Sequence, residues 1–150
     1  MSLVERYLAY AVAFEQAYHS DDWTAVAAFF TEDAVYDVPL DPPLGGHFEG
    51  RAAILAYFKE ILDRLDRRFE TRKGAILEGP RADGESVWMR GRVVYGAVGV
   101  PDALVELEEV AHFEGDRIRR LADHYDYATK RRIADYLAAY GGRLGIEMPG

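Results

Sequence analysis

The feature that most constrains this chain is a change of hydrophobic period at Arg68. Before it, apolar residues recur at intervals of three and four; after it, they recur at every second position. Spacings of three and four line one face of an α-helix, and a spacing of two lines one face of a strand. Helices and strands are therefore segregated along the chain, which predicts an α+β fold with helices packed on one face of a sheet. A chain of 150 residues is long enough to bury a core as one domain, residues 1–150.

In the helical part, residues 4–19 carry Tyr7, Leu8, Ala11, Phe14 and Tyr18 on one face. Ser20, Asp21 and Asp22 supply capping chemistry for a short second helix that buries Trp23, Val26, Ala27 and Phe30. A strand at 34–38 is stopped by Pro39, which has no N–H for a central ladder. Pro42, Pro43, Gly45 and Gly46 read as an irregular loop, and Gly50 opens a third helix with Ile54, Tyr57, Phe58, Ile61, Leu62 and Leu65 inward. Strands follow at 69–77, 86–98, 104–113 and 118–127. Gly79-Pro80, residues 99–102 and Glu114-Gly115-Asp116 are the turns between them. Short connections pair such strands antiparallel. A last helix at 130–140 is closed by Gly141-Gly142.

Charge narrows the partners. Lys and Arg number 18 against 26 Asp and Glu, a formal charge of -8, so nucleic acid and anionic membrane surfaces are disfavoured. There is no cysteine, which excludes disulfides and thiolate metal sites. Neither a basic leader followed by an apolar run nor a span of ~20 apolar residues occurs, and the expectation is a cytoplasmic protein. The histidines have no metal-ligand spacing. Without a glycine-rich phosphate loop, nucleophile elbow or nucleotide fingerprint, neither metal nor cofactor is expected.

The order of elements, together with Asp21-Asp22-Trp23, the run 29–35 (FFTEDAV), the run 50–54 (GRAAI) and the segment from Gly115 to Asp126, resembles the SnoaL-like and ketosteroid-isomerase-like branches of the nuclear transport factor 2-like superfamily. The resemblance covers nearly the whole chain. It implies a cystatin-like cone, three N-terminal helices on a curved antiparallel sheet with a C-terminal helix, built around a small-molecule pocket. It also implies where catalytic groups would stand. At the positions of a ketosteroid isomerase's proton-shuttling aspartate, oxyanion-hole tyrosine and second aspartic acid, this chain has Val38, Phe14 and Ala111, none of which transfers a proton. That argues against a steroid delta-isomerase. Of a scytalone-dehydratase-like site only Tyr18 matches; His19 and Val38 replace its partners. The acidic position on the last strand of SnoaL-like cyclases and hydroxylases matches Asp123, followed by His124 and Tyr125.

Strand parity tests the carboxylates independently. Glu109 interrupts the apolar stripe Val105, Leu107, Ala111, Phe113, and Asp123 interrupts Leu121, Tyr125, Tyr127. An odd number of loop residues near Gly115 would bring both stripes to one face with the two acids adjacent, whereas a two-residue turn would separate them. Adjacent carboxyls in a pocket cannot readily both ionise and can serve as proton donor and acceptor near neutral pH. The alternative for Asp123 is an ion pair with Arg90, Arg92 or Arg119.

The sequence thus nominates Asp123 as proton carrier and Glu109 as its assistant, with Tyr18 and His47 as polar contacts. Trp23, Phe30, Tyr36, Val38, Tyr57, Phe58 and Tyr125 are the expected wall around a mostly apolar carbonyl or hydroxyl compound. The competing expectation is a silent binding module of the same fold. The outer sheet face, with Trp88, Val94, Leu104, Val110, His112 and His124 among alternating Arg and Glu, is the expected homodimer surface.

Overall fold

The computed structural model describes residues 1–148. Helix α1, Leu3–Ser20, starts at a capping box in which the Glu5 N–H donates to Ser2 Oγ and the Ser2 N–H to Glu5 Oε1. These bonds satisfy donors that a helix N-terminus otherwise leaves open. Its buried stripe is Tyr7, Tyr10, Ala13 and Ala17. This stripe is rotated from the expected one: Leu8 is exposed and Tyr18 only half-buried.

Helix α2 is one turn, Thr24–Ala27, with the Asp22 carboxylate accepting from the Thr24 N–H. It is shorter than the sequence suggested, because Phe30 already belongs to strand β1, Phe30–Val38, where the Phe29 carbonyl accepts from Ile118 N–H. Pairing to another strand replaces the helix at the point where both frames could bury Phe30. The loop after Pro39 returns as a short strand, β2 (Gly46–Glu49), rather than staying irregular. Helix α3, Arg51–Arg64, buries Ile54, Tyr57, Phe58 and Leu62 as its period predicts, and a 3₁₀ turn at Asp66–Arg68 marks the change of period.

Strands β3 (Thr71–Asp83), β4 (Ser86–Gly96), β5 (Ala103–Glu114) and β6 (Arg117–His124) follow, then α4, Tyr127–Tyr140, capped by the Asp126 carboxylate on Thr129 N–H. That cap starts the helix three residues before Lys130, and Gly141 continues into a 3₁₀ turn, Gly141–Leu144. The six strands run in the order β2-β1-β6-β5-β4-β3. The expected antiparallel set holds from β3 to β6, but β1 lies parallel to β6, so the sheet is mixed. Gly79-Pro80 is not the turn between β3 and β4. It falls inside β3, where pairing slips between Glu78 and Arg81, and the turn is the two-residue loop Gly84-Glu85. β3 is an edge strand, which tolerates a residue with no ladder donor.

One irregularity sets the phase of the site. The loop joining β5 to β6 is Gly115-Asp116, a two-residue turn between Glu114 and Arg117 with Gly115 at φ 64°. Propagated unchanged, that register would put Glu109 and Asp123 on opposite faces. Pairing shifts by one residue between His112/Arg120 and Phe113/Ile118, leaving Arg119 as an extra residue in β6. Arg119 and Arg120 both lie exposed, while Ile118 and Leu121 are fully buried. Beyond the bulge the pairs are Ala111/Leu121 and Glu109/Asp123, inside the cone.

Candidate active site

The concave face of the sheet, α1 and α3 enclose a cavity of about 500 Å³, within the range of small-molecule sites. β4 contributes Met89, Gly91, Val93 and Tyr95 to its wall. Met89 to Tyr95 is about 20 Å of strand at ~3.3 Å per residue, so the cavity is elongated along β4. Tyr7, Phe14, Phe58, Ile61, Val105 and Leu107 supply much of the remaining surface.

At one end stand Glu109 and Asp123. Asp123 is 5% exposed and pairs across the strands with Glu109. Its Oδ2 accepts from Tyr36 Oη–H at 2.6 Å and from Tyr125 Oη–H at 3.3 Å. Tyr7 Oη–H donates to Glu109 Oε1 at 2.7 Å. Asp123 Oδ1 is buried and has no hydrogen-bond partner among the described residues, with Glu109 as its cross-strand neighbour. Burial first, then the neighbouring Glu109 carboxylate, raise the Asp123 pKa well above the ordinary carboxylate value. Desolvation is the larger cause because an ionised carboxyl loses its hydration there. The phenols of Tyr7, Tyr36 and Tyr125 are pushed up as well, by burial first and by the adjoining acids second. They stay protonated and act as donors.

At the other end, Asp66 is buried beneath Arg72 and Tyr95. Arg72 Nε donates to Asp66 Oδ2 at 2.8 Å, Tyr95 Oη–H donates to the same oxygen at 3.2 Å, and Arg72 Nη1 donates to both oxygens of Glu15 at 2.7 and 2.8 Å. Burial raises the Asp66 pKa, with Arg72 opposing it.

Of the residues nominated from sequence, Asp123, Glu109, Tyr36, Tyr57, Phe58 and Tyr125 line this one cavity. The others lie elsewhere. Phe30 and Val38 are in the packed core at 0% and 5% exposure. The Trp23 ring packs on Phe14 and Phe58, 5.6 and 5.8 Å between centroids, behind the wall. Tyr18 lies under the Arg72 guanidinium, 5.0 Å from its ring centroid. His47 is on β2, where Asp37 and Glu49 hold it at the exposed surface and raise its pKa, Asp37 first. Its register opposite Asp37 points it away from the cone.

The alternative ion pairs for Asp123 do not form among the described residues: Arg90 reaches Glu78, and Arg119 reaches Glu114 and Asp33. Sequence reasoning missed Tyr7 as a polar contact, along with Asp66, Arg72 and Tyr95. Tyr7 was visible only as one member of a helical stripe. Asp66 and Arg72 flank the change of period, where neither helical nor strand parity assigns an inward side.

The described residues contain no group of His, Asp or Glu arranged to hold a metal, and no helix long and apolar enough to cross a membrane. A search of curated proteins finds no match. Among solved structures, Bal32a from a soil-derived mobile gene cassette is 20% identical with a TM-score of 0.68, covering 90% of this chain and 98% of its own. A putative isomerase from Bacillus subtilis is 18% identical at TM-score 0.68, covering 92% and 96%. TerC, co-crystallised with polyporic acid, is 16% identical at 0.66, covering 91% and 98%. At such identities the likeness is one of fold, and solved proteins described as NTF2-like share it. The family profile of the SnoaL-like domain matches residues 11–121. Most of the cone, including α3, the β3–β5 walls and Glu109, lies within that match, and the chain belongs to the SnoaL-like domain family, on the nuclear transport factor 2-like fold.

Proposed function

We propose that this protein is a cytoplasmic acid/base enzyme of the isomerase, cyclase or hydratase/dehydratase type, acting on a mostly apolar carbonyl or hydroxyl compound. The observation that carries this reading is the cross-strand Glu109–Asp123 pair, to which three phenols donate, at one end of a mostly apolar cavity. Each of these reactions takes a proton from one atom and returns one to another. A carboxyl pair with one proton can do both: Glu109 takes a proton from one substrate atom, leaving the pair with two, and the pair returns one to another substrate atom, leaving one. Tyr7 then follows the charge on Glu109. The description of one relative as a putative isomerase and of another as a putative polyketide cyclase fits this class. The test is exchange of the α-protons of long-chain and aromatic ketones in D₂O, read by NMR. Catalysed exchange in the natural protein, lost in Glu109→Gln with its thermal melt intact, is expected; exchange undiminished in Glu109→Gln would overturn the assignment.

A second reading has its own support. Val38, Phe14 and Ala111 stand where related isomerases hold their proton-transfer groups, and Asp123 is already tied to two tyrosines. A binding module of the same fold would take up such ketones and exchange none of their protons.

We further propose a symmetric homodimer through the convex sheet face. Strand register sets Trp88 beside Val110 and Val94 beside Leu104, with His112 and His124 at the margin. Apolar groups within a charged rim suit an interface.

A further inference from the structure

The Arg72 cluster at the far end of the cavity takes no part in the proposed proton chemistry, yet it is built as a site. The Arg72 side chain is 10% exposed and that of Asp66 7%. Charge this deeply buried is costly and persists only when its partners are fixed. Two edges of the guanidinium are occupied: Nε by Asp66, Nη1 by Glu15. The remaining nitrogen, Nη2, has no hydrogen-bond partner among the described residues, and Arg72 lines the cavity. Along β4 this donor stands beside Tyr95, about 20 Å of strand from Met89, the residue opposite Glu109. The wall between is mostly apolar, with Val93 and Leu107 among its residues and Arg92 as its charged member.

We infer that Arg72 anchors the ligand: the cavity takes an elongated, mostly apolar molecule whose end remote from Glu109 and Asp123 carries a neutral oxygen acceptor, a hydroxyl, ether or carbonyl, on Arg72 Nη2. The inference rests on the reading of the carboxyl pair as the reactive end. The charge of the remote group follows from the cluster itself. Asp66 and Glu15 already face the guanidinium, so a third carboxylate would add repulsion without a free positive charge to offset it. A neutral acceptor takes the donor and adds no charge. Lysine could not fill this role, because its ammonium lacks the planar fork that serves two carboxyls and a third partner in fixed directions.

The experiment uses the full chain and three dodecane-based probes: a methyl ketone, the same ketone with a terminal hydroxyl, and the same ketone with a terminal carboxylate. Binding is read by calorimetry. A hydrogen bond to a charged donor predicts that the hydroxyl probe binds the natural protein about tenfold tighter than the plain ketone, with the carboxylate probe weakest. In Arg72→Lys, checked by its melt, the hydroxyl and plain ketones should bind alike. Equal affinity of all three probes for the natural protein, or tightest binding of the carboxylate, overturns the anchor whatever the variant's folding. Glu109→Gln separates the two ideas, since it should abolish α-proton exchange and leave the hydroxyl advantage unchanged. An advantage present in a protein that never exchanges protons would sink the catalytic reading alone. Exchange without any advantage would sink the anchor alone.

Discussion

Glu109 and Asp123 face each other inside the cone because Arg119 is one residue too many in β6. Their opposition makes Asp123 a buried acid whose pKa is raised by burial first and by Glu109 second, and this has a consequence for stability. Between the unfolded value near 3.8 and the raised folded value, the native state binds more protons than the unfolded one. Asp123 therefore contributes stability fully at low pH and loses it as pH rises through its folded pKa, at up to about 1.4 kcal/mol per pH unit. Asn mimics the protonated acid, accepting from Tyr36 and Tyr125 and donating to Glu109. Asp123→Asn should match the natural protein near pH 4 and exceed it increasingly toward neutrality, by urea denaturation at each pH; parallel profiles would show that Asp123 does not carry the proton.

The bulge itself can be tested by two changes at one position. Arg119→Ala trims an exposed side chain and should change stability by no more than ~0.5 kcal/mol. Deleting Arg119 makes Phe113/Ile118 and His112/Arg120 consecutive pairs of one regular register, so Leu121 and Asp123 keep their inward direction and the chain should keep its cooperative melt. A deletion variant that lost its cooperative melt would mean that Arg119 is not the extra residue and that the register slips elsewhere.

Gly74 points into the cone opposite Val93. A Cβ built there meets nothing within 4 Å, and its φ is not in the left-handed region. Neither a turn nor close packing requires glycine, and a strand glycine costs stability. Its missing side chain serves the cavity, so Gly74→Val should stabilise by roughly 0.5–1 kcal/mol and raise Tm by about 2 °C, while weakening uptake of the ketone probes at least tenfold. Unchanged affinity would mean that the space over Gly74 is not used.

The convex face gives the assembly prediction. Light scattering at micromolar concentration should return twice the 16.9 kDa chain mass, and Trp88→Glu should return the single mass. Arg81 already lies 4.0 Å over the Trp88 ring and Glu108 accepts from its Nε1. A monomer in the natural protein would mean that those two contacts suffice to cover it.

How far the sequence could be read depends on how regular each element is. α3 and the pairing of β4 with β5 follow from undisturbed periods, and so does the inward direction of Glu109. Strand parity alone turns Asp123 inward only if the loop is odd. The loop is even, and a bulge supplies the missing residue. Its mark was present, since Ile118 and Leu121 stand three apart with two arginines between them, a spacing no regular strand gives. The partner of β1 was not readable, because parallel pairing of Phe30–Val38 with β6 joins segments some eighty residues apart with no local signal. Arg72 escaped for a related reason: its inward direction depends on pairing with Tyr95 across β3 and β4, and its buried charge contradicts the hydrophobic rule by which inward positions are recognised.

The slip in β3 around Pro80 matters beyond the cone. β3 is the long outer edge of the sheet, thirteen residues whose outward N–H and C=O groups could template another chain's strand. Proline without a donor and a broken register interrupt that template midway, and Lys73 adds charge to its straight half. The opposite edge, β2, is only four residues long. Both borders of the sheet are therefore poor templates for adding a further strand, one because it is interrupted and the other because it is short.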